Sequence, residues 1–304
     1  MAFEFAIPSF AKINLDLRVH GKRGDGFHEI STLFQTISLC DSVIFRDSEK
    51  IQVTCDREDI PSNLDNIAGK AIAELAKRYE IDRGISVSIK KRIPAPGGLG
   101  GGSSNAAVAL IGASRAWGLK PKLSEMVEIA ELLGADVPFF LTGGLAAGFG
   151  KGNEVIALDD TPPCHVLVAT APVSVNTGEA YSSLESSDLT TIDRESILEH
   201  YRKDAEHILC GELERFNSFE NGVFAKYPEI EKTAGVLEKL GARRVTLSGS
   251  GSSVFATFSD DKLFAVASAD PELNRISAVF PATTLKRSSY FGLTHLEDAF
   301  SPDI

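Results

Sequence analysis

The run from Lys12 to Val19, KINLDLRV, alternates: Ile13, Leu15, Leu17 and Val19 are apolar, and Lys12, Asn14, Asp16 and Arg18 are polar. Alternation of period two predicts a strand with one face in the core. The other face sets an ammonium and an amide two residues apart, where a charged ligand could meet both. Gly21 to Gly26, GKRGDG, reads as a turn, and Phe27 to Leu39 as the returning arm of a hairpin. Between Asn66 and Tyr79 the residues Ile67, Ala71, Ile72, Leu75 and Tyr79 recur at helical spacing, and Ile85, Val87 and Ile89 then alternate as a strand running toward Pro94. The alanine-rich stretch Ser103 to Trp117 predicts a helix with Ala107, Leu110, Ala113 and Trp117 on one side and Ser103 or Ser104 capping its first turn. A further helix, Ser124 to Leu133, stops at Gly134 and leaves Asp136 just beyond its end.

The pattern turns irregular from Val155 to Pro163, which predicts a domain boundary between residues 1–158 and 159–304. Beyond it, Val166 to Ala169 reads as a strand, Ser182 to Ser196 as polar loop, and Ser196 to Phe216 and Pro228 to Leu240 as helices. Arg243 to Leu247, the turn SGSG and Val254 to Phe258 follow as strand, turn and strand. The fold class is therefore α+β, and no internal repeat suggests a solenoid.

Composition narrows the partners. The 304 residues are 43% hydrophobic and 24% charged, enough for one large core or two medium ones, and the formal net charge is -11. Such a chain repels polyanions on average and has no basic run, so nucleic acid is not an expected partner. A small anionic substrate would need a few placed cations and backbone donors. The apolar region from Val137 to Phe149 is broken by Pro138, Gly143, Gly144 and Gly148, so neither a membrane span nor a membrane partner is expected. Met1 to Phe10 carries no signal-peptide pattern. Cys40, Cys55, Cys164 and Cys210 form no CxxC, which fits a reduced, cytoplasmic protein, and the six histidines include no HExxH.

The segment Pro94 to Asn105, PAPGGLGGGSSN, holds the main chemical signal. Glycine lets backbone N–H groups turn toward an anion, and a helix start adds aligned dipoles, so this is the composition of a phosphate cradle. It is not a Walker A loop, because Ser103 rather than lysine follows the last glycine, and Ser103 also breaks a GxGxxG reading begun at Gly98. A tight loop without a ligand is the plain alternative. Against it stand the two serines at the helix start and a second glycine cluster, SGSGSS at Ser248 to Ser253. Protein-kinase HRD and DFG signatures are absent.

Three segments resemble the three motifs of the superfamily of galactokinase, homoserine kinase, mevalonate kinase and phosphomevalonate kinase: AKINLDL at Ala11 to Leu17, PAPGGLGGGSSNAA at Pro94 to Ala107, and LSGSGSSVF at Leu247 to Phe255. More narrowly, KINLDLRVHGKRGDGFHEISTLFQ at Lys12 to Gln35 and LGADVPFFL at Leu133 to Leu141 resemble the branch that phosphorylates a cytidine-diphosphate-linked methylerythritol in the non-mevalonate isoprenoid route. The resemblance implies a two-lobed small-molecule kinase fold, with a left-handed βαβ unit and the phosphate loop in the N-terminal lobe. It also implies ATP with Mg2+ as cofactors and a small-molecule acceptor.

By the same resemblance, Lys12 and Asp136 are the catalytic pair, with Asp136 either a general base or an orienting acceptor. On the residues alone, Asp136 reads as a turn former and Lys12 as an exposed strand lysine. Asn14, Phe27, His28 and Tyr181 are implied at the acceptor, where Phe27 and Tyr181 sandwich the cytosine and His28 pairs with its polar edge. Gly249, Ser250 and Gly251 complete that side. For ATP the resemblance points to Asn66, Lys91 and Thr177 around the nucleoside, and to Pro94, Gly97, Gly98, Leu99, Gly100, Gly101, Gly102, Ser103 and Ser104 around the phosphates. It points to no metal ligands. A sister kinase acting on mevalonate, homoserine or a sugar is the alternative activity. A non-catalytic sensor would lack Lys12 or Asp136, and a dinucleotide-dependent dehydrogenase would need the GxGxxG fingerprint.

Overall fold

In the computed structural model, which describes residues 3–184, 189, 193–258 and 260–299, the expected hairpin is the spine of the first layer. Strands β1 (Glu4–Lys22) and β2 (His28–Ser48) pair antiparallel from Glu4 opposite Arg46 to Lys22 opposite His28. Shifts of register at Phe10/Ala11, Asn14/Asp16 and Val19/Gly21 mark the irregularities that bend so long a ribbon. Strand β3 (Ile51–Cys55), helix α1 (Ile67–Arg78) and strand β4 (Gly84–Lys90) form a βαβ unit, since β3 and β4 are parallel. Helices α2 (Gly101–Trp117) and α3 (Leu123–Leu133) follow, then strands β5 (Leu145–Phe149) and β6 (Glu154–Ala157). The six-stranded sheet runs β3-β4-β2-β5-β6, with β1 on β2. One end of β2 pairs β4 and the other pairs β5.

Helix α2 is buried on almost every side, which its small residues permit. A Cβ on Gly112 would lie 2.1 Å from the Phe45 ring, so only glycine lets the helix rest there. The second layer contains β7 (His165–Thr170), α4 (Thr177–Ser182), α5 (Arg194–Leu209), α6 (Glu220–Lys226), α7 (Pro228–Lys239), β8 (Arg244–Leu247) and β9 (Ser253–Thr257). It continues through α8 (Asp261–Ser268), α9 (Pro271–Ile276) and β10 (Ala278–Thr283) into α10 (Arg287–Thr294) and α11 (Leu296–Ala299). Its antiparallel sheet runs β10-β7-β9-β8. One apolar cluster joins the layers, with Ile13 and Leu15 of β1 among Val166, Val168, Tyr201 and Phe255. The chain end returns to the first layer, where the Tyr290 hydroxyl donates to the Phe140 carbonyl at 2.6 Å.

Two expectations meet a different outcome, and a third falls partly outside the described residues. The helix expected to reach Phe216 ends at Leu209, because Gly211 turns to φ +72° and the buried Arg215 guanidinium folds back onto the carbonyls of Ile208 and Leu209. Burial lowers the pKa of Arg215 to about 10, and its bonds are to carbonyls and the Thr257 hydroxyl. The polar face of β1 is not open: Asp16 accepts from the Tyr201 hydroxyl at 2.6 Å, Arg18 Nε at 2.7 Å and the Phe216 amide at 3.0 Å. Part of the polar stretch Ser182 to Ser196 lies outside the described residues. Among the described residues no helix is long and apolar enough to cross a membrane.

Candidate active site

The glycine run does two jobs at once. Gly98 and Gly100 adopt φ of +70° and +68°, which side chains disfavour, and a Cβ on Gly98 would fall 1.9 Å from the Ser248 carbonyl oxygen. Helix α2 starts within the run, at Gly101, so the helix N-terminus and its free N–H groups sit where the glycines leave room. The serines expected as caps lie in the first turn instead. Ser104 is buried and its hydroxyl accepts from Ser9 Oγ at 2.7 Å.

The three similar segments converge on this loop. The Lys12 amide donates to the Leu99 carbonyl at 3.0 Å, and the Ser248 hydroxyl to the Gly98 carbonyl at 3.0 Å. Asp136 sits in the turn between α3 and a short 3-10 turn, Pro138–Leu141, whose Phe139 and Phe140 are buried and anchor it. Lys12 is not an exposed strand lysine. Its ammonium is buried, 2.5 Å from Asn14 Oδ1, 3.4 Å from Asp136 Oδ2 and 5.5 Å from the centre of the Phe34 ring. Asn14 in turn donates to the Thr32 hydroxyl at 2.8 Å, and Thr32 to the Asp16 carbonyl at 2.7 Å, so both groups are held by the hairpin.

A cleft of about 620 Å³ opens from this pair. Gly98 and Gly100 border it beside Lys12, Asn14 and Asp136, and Thr177, Gly249 and Ser250 border it from the second layer. Phe27, His28 and Tyr181 also face it, in an arrangement that differs from the expected pair of rings. The His28 ring stacks on Tyr181 at 4.6 Å and 16°, while Phe27, 57% exposed, has the Lys151 ammonium 4.6 Å from its centre. Phe219 meets Tyr181 edge-on at 4.8 Å. Burial, with nearby Lys22, lowers the His28 pKa, whereas burial and the charge of Asp136 push Tyr181 up to about 12.

Other expected residues are placed elsewhere. Asn66 caps α1, accepting from the Ala68 amide at 2.9 Å and donating to the Pro61 carbonyl at 2.8 Å. Lys91 forms a buried ion pair with Asp41 and reaches Asn105 Oδ1 at 3.3 Å, so its ammonium is committed beneath α2. Pro94, Gly97, Leu99, Gly101, Gly102, Ser103 and Gly251 shape the two glycine turns without lining the cleft. The cleft adds Lys22, Lys151, Phe34 and Phe219. Lys151 had a readable signal, since it stands in the turn GKGN between two apolar strands. Phe219 had none. Among the described residues no group of three or more His, Cys, Asp or Glu side chains is gathered to hold a metal ion.

Comparison with known proteins agrees with this geometry. Residues 66–144 match the family described as GHMP kinases N terminal domain, and residues 203–269 match GHMP kinases C terminal. The chain is 36% identical over 247 residues to 4-diphosphocytidyl-2-C-methyl-D-erythritol kinase of Bacillus pumilus (strain SAFR-032), covering 81% of this chain and 85% of that one. It is 38% identical over 256 residues to the enzyme of that name from Solibacter usitatus (strain Ellin6076), covering 83% and 80%. A crystal structure of 4-(cytidine 5'-diphospho)-2C-methyl-D-erythritol kinase superposes with a TM-score of 0.77 at 28% identity over 92% of this chain and 99% of the other. Homoserine kinase from Cytophaga hutchinsonii, at 17% identity and a TM-score of 0.70, shares the fold. The chain belongs to the 4-diphosphocytidyl-2-C-methyl-D-erythritol kinase family of the GHMP kinases.

Proposed function

We propose that the protein transfers the γ-phosphoryl group of ATP to the 2-hydroxyl of 4-diphosphocytidyl-2-C-methyl-D-erythritol. The observation that carries this reading is the Lys12–Asp136 pair, 3.4 Å apart, at the place where the cleft meets Gly98 and Gly100. The nucleotide phosphates lie against the start of α2 and the acceptor fills the cleft toward Phe27, His28 and Tyr181. Residues 1–158 then supply the nucleotide side, and residues 159–304 the far wall.

In this arrangement Asp136 accepts the hydrogen of the acceptor hydroxyl as the new O–P bond forms and the bond from the γ-phosphorus to the bridging oxygen breaks. Lys12 offsets the charge spread over the moving group. Transfer through a loose transition state needs this positioning and charge balance more than a strong base. Magnesium would accompany the nucleotide, and among the described residues lining the cleft Asp136 is the acidic side chain. Bound there, the ion would neutralise phosphate charge. Toward the cytidine end, Lys22 and Lys151 supply the local cations that an acidic chain needs to admit an anionic acceptor. Neutral His28 can both donate to and accept from a base edge.

Thermal-shift titration tests the reading of the cleft. The cytidine-linked acceptor should raise the melting temperature, and mevalonate and homoserine should not. Stabilisation by mevalonate or homoserine, with none by the cytidine compound, would reject it.

A further inference from the structure

The segment between α5 and α6 belongs to no expected site, yet its last residue, Phe219, lines the cleft. Its backbone is laid along β1: the Leu17 amide donates to the Phe216 carbonyl at 2.7 Å, and the Ser218 amide to the Leu17 carbonyl at 3.0 Å. Asn217, buried between them, has its side chain fully used. Its Nδ2 donates to the carbonyls of Leu247 at 2.8 Å and Gly249 at 2.9 Å, and its Oδ1 accepts from the Phe219 amide at 2.9 Å. The Glu220 carboxylate, held above its usual pKa by burial, takes the Leu247 amide at 3.1 Å.

These bonds grip the second glycine turn on its way into the cleft. Gly249 and Ser250 line the cleft, Ser248 is tied to Gly98 of the phosphate loop, and Phe219 braces Tyr181. A buried amide whose Nδ2 donates to the carbonyls of Leu247 and Gly249, on either side of Ser248, fixes that turn in both position and tilt. We infer that Asn217 is a positioning residue: its amide holds the Ser248–Gly251 turn against the phosphate loop while its carbonyl sets Phe219 behind Tyr181. The inference rests on the kinase reading above, because it assigns the turn and the ring to one reaction centre.

The test uses the full chain carrying Asn217→Ala or Asn217→Asp. The aspartate is nearly isosteric and keeps the acceptor for Phe219, but sets oxygen against the two carbonyls. For each variant, kcat and both KM values are measured per folded molecule, with the melting temperature and the calorimetric affinity for a non-hydrolysable ATP analogue alongside. The expected result is a fall in kcat of roughly ten- to a hundredfold, the scale of a small misplacement of reacting groups, with a weaker ATP analogue in both variants. Values for kcat, KM and analogue affinity within about twofold of the parent, whatever the melting temperature, would overturn the inference. Should one variant not fold, the other decides. If the parent itself fails to turn over the cytidine acceptor, the kinase reading falls, and analogue affinity alone then decides whether Asn217 sets the phosphate loop.

Discussion

The Lys12 ammonium and the Asp136 carboxylate stand 3.4 Å apart but in different surroundings: the lysine side chain is 4% exposed, the aspartate 35%. The cation is fixed inside by Asn14 and the hairpin, and the carboxylate faces the cleft, where a ligand can reach it. This asymmetry divides the work between an anchored charge and an accessible acceptor.

Asp136→Asn keeps the shape of the turn and removes the charge. Turnover should fall by roughly a hundredfold or more, the range for losing a positioned acid-base group, while ATP and acceptor still bind. Rapid-quench kinetics with calorimetry would measure both. Near-normal turnover removes Asp136 from the reaction.

Lys91→Met separates two readings of one residue. The ion pair with Asp41 is buried, with side chains 3% and 0% exposed, so the mutation strands a carboxylate that also holds the amides of Arg92 and Ile93. Loss of one partner of such a pair costs about 3–5 kcal/mol. Urea unfolding should show that loss. Unchanged stability with abolished ATP binding would mean that Lys91 serves the nucleoside directly.

Two glycines of one run, Gly98 before α2 and Gly102 in its first turn, should respond differently. Gly98→Ala meets the Ser248 carbonyl at 1.9 Å in a left-handed conformation, whereas Gly102→Ala meets only Ile67 Cγ2, at 3.8 Å. The first should lower the melting temperature and ATP affinity together, with a strain of about 1–3 kcal/mol or more. The second should leave the melting temperature within about 2 °C of the parent. Equal melting temperatures for the two variants would contradict the tie between the glycine turns.

Acceptor binding should weaken on the acid side. Burial and Lys22 depress the His28 pKa below 6.5, so the folded ring is neutral at pH 7, and the unfolded chain takes up the proton first as pH falls. The stability this ring contributes is therefore present above about pH 6.5 and is lost as pH falls through the lower, folded value. Lys22→Ala should raise that midpoint. An NMR titration of the imidazole would measure it, and a parent midpoint at or above 6.5 contradicts the environment described.

Much of this site was legible because its parts are local in sequence. Alternation exposed the hairpin, glycine and serine marked the phosphate loop, and Gly134 marked the turn carrying Asp136. What stayed hidden was pairing at a distance. Asp41 gives no sign that it will claim Lys91 fifty residues later, and a capping asparagine such as Asn66 looks like any polar residue near a ligand. The His28–Tyr181 stack depends on how the two layers dock, which no periodicity encodes. Burial of the polar face of β1 has the same origin, since Tyr201 and Phe216 come from the second layer to cover Asp16.

An ADP-release assay with Mg-ATP and 4-diphosphocytidyl-2-C-methyl-D-erythritol, followed by phosphorus NMR of the product, reaches the reaction itself. The expected spectrum adds one phosphate monoester, coupled to the acceptor's 2-position, in amount equal to the ADP released. ADP release with mevalonate or homoserine but not with the cytidine compound, or a new phosphate at any other position, would contradict the assignment of this cleft.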